Sequence, residues 1–152
     1  MKRRGFIRLG AAGALATALP TRAQQLLPAH DLTPLIREAA GGQSPRPGRI
    51  RMTLPQLAEN GNSVPLELNV DSPMSEADHV RSVHLFAERN PRPLVGRFHM
   101  GPQTGVARLS LRIRLAGTQR VMAVAVMSDG SSWSAEAEVV VTSAACLDEM
   151  SL

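Results

Sequence analysis

An apolar period of two recurs between residues 50 and 141, and it narrows the possible folds more than any other feature. Ile50, Met52 and Leu54 alternate with other residues, as do Val64, Leu66, Leu68 and Val70, and then Val83, Leu85 and Ala87. Side chains two apart share one face of a strand, so each run reads as a strand with one buried face. A short strand is expected around Leu94 to Met100. Ala107, Leu109, Leu111, Ile113 and Leu115 alternate with Arg108, Ser110, Arg112 and Arg114, which predicts a strand with one solvated face. Val121 to Met127 is continuously apolar, the pattern of a strand covered on both faces. Trp133, Ala135, Ala137, Val139 and Val141 make the last strand. Turn residues separate these runs at Asn60-Gly61, Asp71-Ser72-Pro73, Asn90-Pro91 and Asp129-Gly130. The spacing predicts an all-β fold, an immunoglobulin-like antiparallel β-sandwich.

A short N-terminal helix precedes the strands. Asp31 or Thr33 can cap it, Pro34 fits its first turn, and Leu32, Leu35, Ile36, Ala39 and Ala40 fall on one face. Gly41-Gly42 stops it, and Ser44-Pro45-Arg46-Pro47-Gly48 predicts a stiff, extended connection. The expected organisation is a signal peptide over 1–23, the helix and linker over 24–49, the sandwich over 50–142, and a C-terminal arm over 143–152. No internal repeat or second domain is visible.

Charge separates the first of these segments from the rest. The chain has 17 Lys and Arg against 13 Asp and Glu, but residues 1–23 hold Lys2, Arg3, Arg4, Arg8 and Arg22 and no acid. Residues 24–152 carry 12 arginines, no lysine and 13 acids, so the basic pI belongs to the leader. A protein that neutralises phosphates needs positive charge in its folded part, and Phe86, Phe98 and Trp133 are too few for a stacking platform. Nucleic-acid binding is not expected. Leu9 to Leu19 is a weakly apolar run well short of the roughly 20 residues that span a bilayer, so the leader reads as a removable signal and not a membrane anchor. Arg3-Arg4-Gly5-Phe6-Ile7 looks like a twin-arginine export motif; a Sec-type signal with a chance arginine pair is the alternative. Both lead to the periplasm.

Cys146 is the only cysteine. An unpaired thiol in an oxidising compartment calls for a partner, a modification or burial. It lies five residues past Val141, a tether that would let the sulfur reach roughly 17 Å from the sandwich if fully extended. A carrier of a covalent intermediate needs such a tether, although an incidental tail cysteine would look the same. The four histidines do not predict a metal site. His79 and His84, five apart, would face opposite ways on one strand; with His30 and His99 they read as scattered and solvated. A copper site built on Cys146 and Met150 lacks a histidine after the cysteine. No catalytic constellation stands out: Glu59, Asp71, Asp78 and Asp129 read as turn residues. Arg108, Arg112 and Arg114 read as a solvated strand face that could also attract an anionic substrate or an acidic partner.

Four groups of segments carry a resemblance: Ala58-Glu59-Asn60-Gly61 with Val64-Pro65; Asn90-Pro91-Arg92-Pro93; Arg112 to Ala116 with Thr118-Gln119; and Met127 to Ser131 with Trp133. Together, from the helix near Asp31 through Cys146, they resemble the SoxY sulfur carriers of the periplasmic thiosulfate-oxidising system. The resemblance implies a non-catalytic subunit that pairs with a second small sandwich, SoxZ. It would hold sulfur species covalently on Cys146; no other cofactor is expected, and the histidine spacing above leaves no metal expected either. Its further partners would be a haem-containing cytochrome complex that joins thiosulfate to the thiol and a hydrolase that releases sulfate. The family's arm is a Gly-Gly-Cys-Gly-like terminus, whereas this chain has Ala144-Ala145-Cys146-Leu147-Asp148-Glu149 and ends at Leu152. Alanine restricts the backbone, and the acids disfavour a thiolate and repel an anion. The departure leaves standing a β-sandwich adaptor that has lost carrier chemistry, and the lone thiol by itself leaves a redox-labile protein dimerising through Cys146.

Overall fold

The computed structural model describes residues 27–145, and in it the alternating runs pair into two packed sheets. The chain order is α1 (Thr33–Ala39), β1 (Arg46–Pro47), β2 (Ile50–Thr53), β3 (Leu57–Ala58), β4 (Val64–Val70), β5 (Val80–Ala87) and β6 (Leu94–His99). A 3-10 turn at Pro102–Thr104 leads into β7 (Arg108–Ile113), β8 (Gln119–Met127) and β9 (Ser132–Val141). One sheet runs β1-β9-β8-β5-β6, with β3 also on β9, and the other runs β2-β4-β7.

The expected strands are β2 and β4 to β9. The two-residue strands β1 and β3 are additions, both parallel to β9, with Arg46 opposite Trp133 and Leu57 opposite Val140. The first sheet is therefore mixed rather than antiparallel throughout. The outer backbone edge of β9 needs partners, and two stretches of the incoming chain supply them. Pro47, lacking a donor, is tolerated in such an edge strand. The stretch expected only as a connection is thus part of the sheet.

Alternation places the core. In β4, Val64, Leu66, Leu68 and Val70 are buried while Pro65 and Glu67 are exposed. They share one cluster with Val121, Ala123, Ala125 and Met127 of β8. Each fully buried Val or Leu contributes roughly 1.5–3 kcal/mol, which makes this cluster the main source of stability. The turns behave as their residues predict: Asn60 accepts the Asn62 N–H at 2.9 Å, and Asp129 accepts that of Ser131 at 2.8 Å.

A second, smaller cluster explains the continuous apolar run of β8. Leu32 and Ala40 of the helical segment bury Phe86 and Val124 on the outer face of the first sheet, with Leu35, Ile36 and Ala39 at the margin. Cover over Val124 therefore comes from the chain itself, and the run does not by itself require a partner. A seven-residue helix is too short to persist alone, so this packing holds α1 in place. Its capping differs in detail from expectation. Leu32 occupies the N-cap position with near-helical dihedrals, and Asp31, one residue further out, accepts the Thr33 N–H at 2.9 Å. The Thr33 side-chain and backbone hydrogen bonds hold the Asp31 carboxyl below its ordinary value. At the other end the N–H of Gly42 reaches Arg37 O at 2.8 Å and that of Gly41 reaches Glu38 O at 3.2 Å, the Schellman pattern, with both glycines at positive φ.

One expectation about the histidines fails. His84 is only 5% exposed, on the outer face of β5, with Phe86 stacked 6.5 Å away and Arg97 as its neighbour on β6. Its Nε2 lies 3.1 Å from Ser82 Oγ. Burial first, then the cationic side of Arg97 and His99, holds its imidazole below the ordinary 6.5. His79 precedes β5 rather than sharing it, with its Nδ1 3.0 Å from Ser75 O. Among the described residues no helix is long and apolar enough to cross a membrane.

Candidate functional site

Cys146, the expected sulfur-bearing residue, lies outside the described residues, as do Arg3 and Arg4. The chain leading to Cys146 is described, and it is tied to the sandwich beyond the end of β9. Thr142 donates its N–H to Ala58 O at 3.0 Å and its hydroxyl to Glu59 O at 3.1 Å. The Gly61 N–H donates to Ser143 O at 2.7 Å, and the Ala145 N–H donates to Leu115 O at 3.0 Å. Leu115 in turn donates to Gly61 O at 2.8 Å, closing the group. Ala145 is 7% exposed. The reach of roughly 17 Å counted from Val141 therefore does not hold while these bonds are made; one peptide step, about 3.8 Å between Cα atoms, separates Ala145 from Cys146.

Space at this root is set by Gly61. A Cβ there would overlap Leu115 O and stand 2.8 Å from Ala145 N and 3.0 Å from Val141 Cγ1. Only a residue without a side chain lets the three backbones approach this closely. The Asn60 side chain, bonded to the Asn62 N–H, shapes the turn that presents Gly61.

Leu115 is held in its turn by a buried polar knot. Asn90, 6% exposed, donates from Nδ2 to Arg114 O at 2.9 Å and accepts at Oδ1 from the Ala116 N–H and Gln119 Nε2, both at 3.0 Å. Gln119, 3% exposed, also donates to Gly117 O at 3.2 Å and accepts from the Arg89 N–H at 2.9 Å. The next link is Thr118, whose Oγ1 accepts the Val141 N–H at 3.0 Å. A buried pair of amides bonded in this way is rigid, and losing one partner strands the others. Asn90→Ala is expected to destabilise the fold by about 2–3 kcal/mol, read as a lower urea midpoint at unchanged slope. A loss within about 0.5 kcal/mol, the range of an ordinary surface change, would show that the knot does not hold the loop.

Three of the four segment groups that carry the resemblance thus meet at one place. Ala58 to Gly61, Asn90, and Arg114 to Gln119 build the seat of the C-terminal root, whereas the Met127 to Ser131 group forms the β8–β9 turn elsewhere. The sequence marks these residues by resemblance and reads Asn60-Gly61 and Asn90-Pro91 only as turns. Asn90, Gln119 and Gly61 were findable, since two amides and a glycine flanking buried strands need a structural reason.

Arg108 and Arg112 lie as expected on the solvated face of β7, where Arg108 pairs with Glu67 at 3.3 Å and Arg112 Nη1 stands 3.3 Å from Ser63 Oγ, and Arg114 is exposed just past the strand. Both partners of the first pair are about half exposed, so it contributes less than about 1 kcal/mol. Asp78 pairs with Arg49 at 3.1 Å, and Asp129 orders its turn, its carboxyl held below the ordinary value by bonds to Ser131. Among the described residues no three His, Cys, Asp or Glu side chains gather closely enough to hold a metal ion.

The family model described as "Sulfur oxidation protein SoxY" matches residues 36–146. The chain belongs to the SoxY family. Its match ends on Cys146, the residue after the seated Ala145. Among solved structures, the sulfur carrier protein SoxY from Chlorobium limicola f thiosulfatophilum is 27% identical, with a TM-score of 0.61 over 72% of this chain and 90% of that one. Superoxide reductase (neelaredoxin) from Ignicoccus hospitalis is 17% identical, with a TM-score of 0.55 over 62% of this chain and 80% of that one. Superoxide reductase from Nanoarchaeum equitans is 13% identical, with a TM-score of 0.53 over 62% and 99%. At these last identities the likeness is one of fold alone. No curated protein sequence matches the chain.

Proposed function

We propose that this SoxY-family chain is a periplasmic sulfur carrier that holds thiosulfate-derived intermediates covalently on Cys146. The observation that carries the reading is the family match running through to Cys146, the chain's only thiol, at the end of a root that the family's own segments build. The chemistry needs no catalytic group from this protein. A thiolate and a thiosulfate join through a new S–S bond, and the two electrons released pass to a haem-containing cytochrome complex. Water then attacks the terminal sulfonate sulfur in a hydrolase, sulfate leaves with two protons, and the former outer sulfur of thiosulfate remains on Cys146 as a persulfide. What the carrier supplies is a thiol presented on a stable body.

The proposed context is that of the family. A SoxZ-like second sandwich would form the heterodimer, and export would use the twin-arginine signal at Arg3 and Arg4. Intact-mass measurement tests the function. Protein recovered from the periplasm of thiosulfate-grown cells should co-purify with a second small sandwich and carry a mass increment equal to a thiosulfonate or persulfide. If no increment appears while the partner enzymes are present and active, the chain is an adaptor that has lost the carrier chemistry.

A further inference from the structure

A carrier thiol must reach into the sites of other enzymes, yet the segment that leads to this one is bound to its own body. Gly61 N–H to Ser143 O and Ala145 N–H to Leu115 O fasten the root on both sides of Ala144, and Ala145 is buried. We infer that Gly61 is a positioning residue for Cys146: it forms a seat for residues 143–145 that fixes how far the thiol can extend. The inference rests on the carrier reading above.

The geometry gives the seat two states with different reach. Seated, Cys146 begins one peptide step from a residue bonded to Leu115. Unseated, the free chain begins after Thr142, and four extended residues carry Cys146 up to roughly 13–14 Å from it. Opening the seat moves the last fixed residue from Ala145 back to Thr142, which adds three residues, up to about 10 Å of extended chain, to the free arm. Two backbone bonds and one buried alanine hold the seat, so it can open locally while the core stays intact. Glycine-rich arms reach by being pliable. Here Ala144 and Ala145 stand in the root itself, and opening the seat frees them.

The inference is tested on the full mature chain without any sulfur donor. Gly61→Ala places a Cβ against Leu115 O and the Ala145 N–H and should expel the root. Ala145→Pro removes the donor to Leu115 O and adds nothing to the body, so it serves if Gly61→Ala fails to fold. Each variant should react at Cys146 with a polyethylene-glycol maleimide about tenfold faster than wild type, with a much smaller change for iodoacetamide. Inserting Gly-Gly between Ala145 and Cys146 should give the same selectivity with the seat intact. In wild type, the Ala145 amide should exchange with solvent at least about tenfold more slowly than in an unstructured chain. An unprotected Ala145 amide, or a bulky-probe rate unchanged in Ala145→Pro, overturns the seat. If these results hold while Cys146 never acquires sulfur, the seat stands and the carrier reading falls.

Discussion

Cys146→Ser is expected to abolish the sulfur-bearing mass increment completely while leaving the unfolding midpoint close to wild type. The first half rests on composition: no other thiol exists in the chain to take over, and a serine hydroxyl cannot form the S–S bond on which every intermediate depends. The second half rests on position. The main core cluster lies within residues 58–141 and the smaller one under the helix, and the last root contact described is made by Ala145, before the cysteine. A hydroxyl in place of a thiol after that point removes no core contact and no bond of the seat, so the change should stay within about 0.5 kcal/mol. Intact mass on thiosulfate-grown cells gives the first readout and a thermal scan the second. An increment that survives in Cys146→Ser would place the sulfur on another group and end the carrier assignment. A large loss of stability would show that the residue belongs to the body rather than to an arm.

The sandwich was legible because strands with one buried face print their pleat directly into the sequence. Val64 to Val70 and Arg108 to Ile113 read as they fold. Val121 to Met127 showed that both faces were covered but not by what, since an apolar run looks the same under a partner as under Leu32 and Ala40. The strands β1 and β3 escaped because two residues carry no period. His84 misled because residue type speaks for the average environment, and this imidazole sits on the outer face of a strand that is nonetheless buried. The seat of the C-terminal root was hidden for a different reason. Its bonds run between main-chain atoms of residues 61, 115, 143 and 145, and side-chain patterns hold no record of those. The remaining trace was Gly61 beside Asn60, which reads as an ordinary turn until the Cβ that is missing there is built and found to collide.

Changing Arg3 and Arg4 together to Lys is expected to leave a full-length precursor in the cytoplasm and to remove the mature species from the periplasm. The substitution keeps both positive charges, so a signal read only by its charge and apolar run would still work. A receptor that recognises the paired guanidinium groups would not, because lysine cannot reproduce their planar, forked donors. The fold would suit such a route. β9 joins residues 132–141 to residues 46–47 and 57–58, and β4 joins residues 64–70 to residues 108–113, so the sheets close only when most of the chain is present. Topologies dominated by such distant pairings fold slowly, and an export path that accepts the finished sandwich avoids refolding after transport. The same path would let a partner without its own signal travel bound to this chain. Fractionation with an antibody against the sandwich reads both pools, and blocking the twin-arginine translocase in wild-type cells should reproduce the double variant. Mature protein at normal periplasmic levels in either case would make the leader a Sec-type signal, and the SoxZ-like partner would then need an export signal of its own.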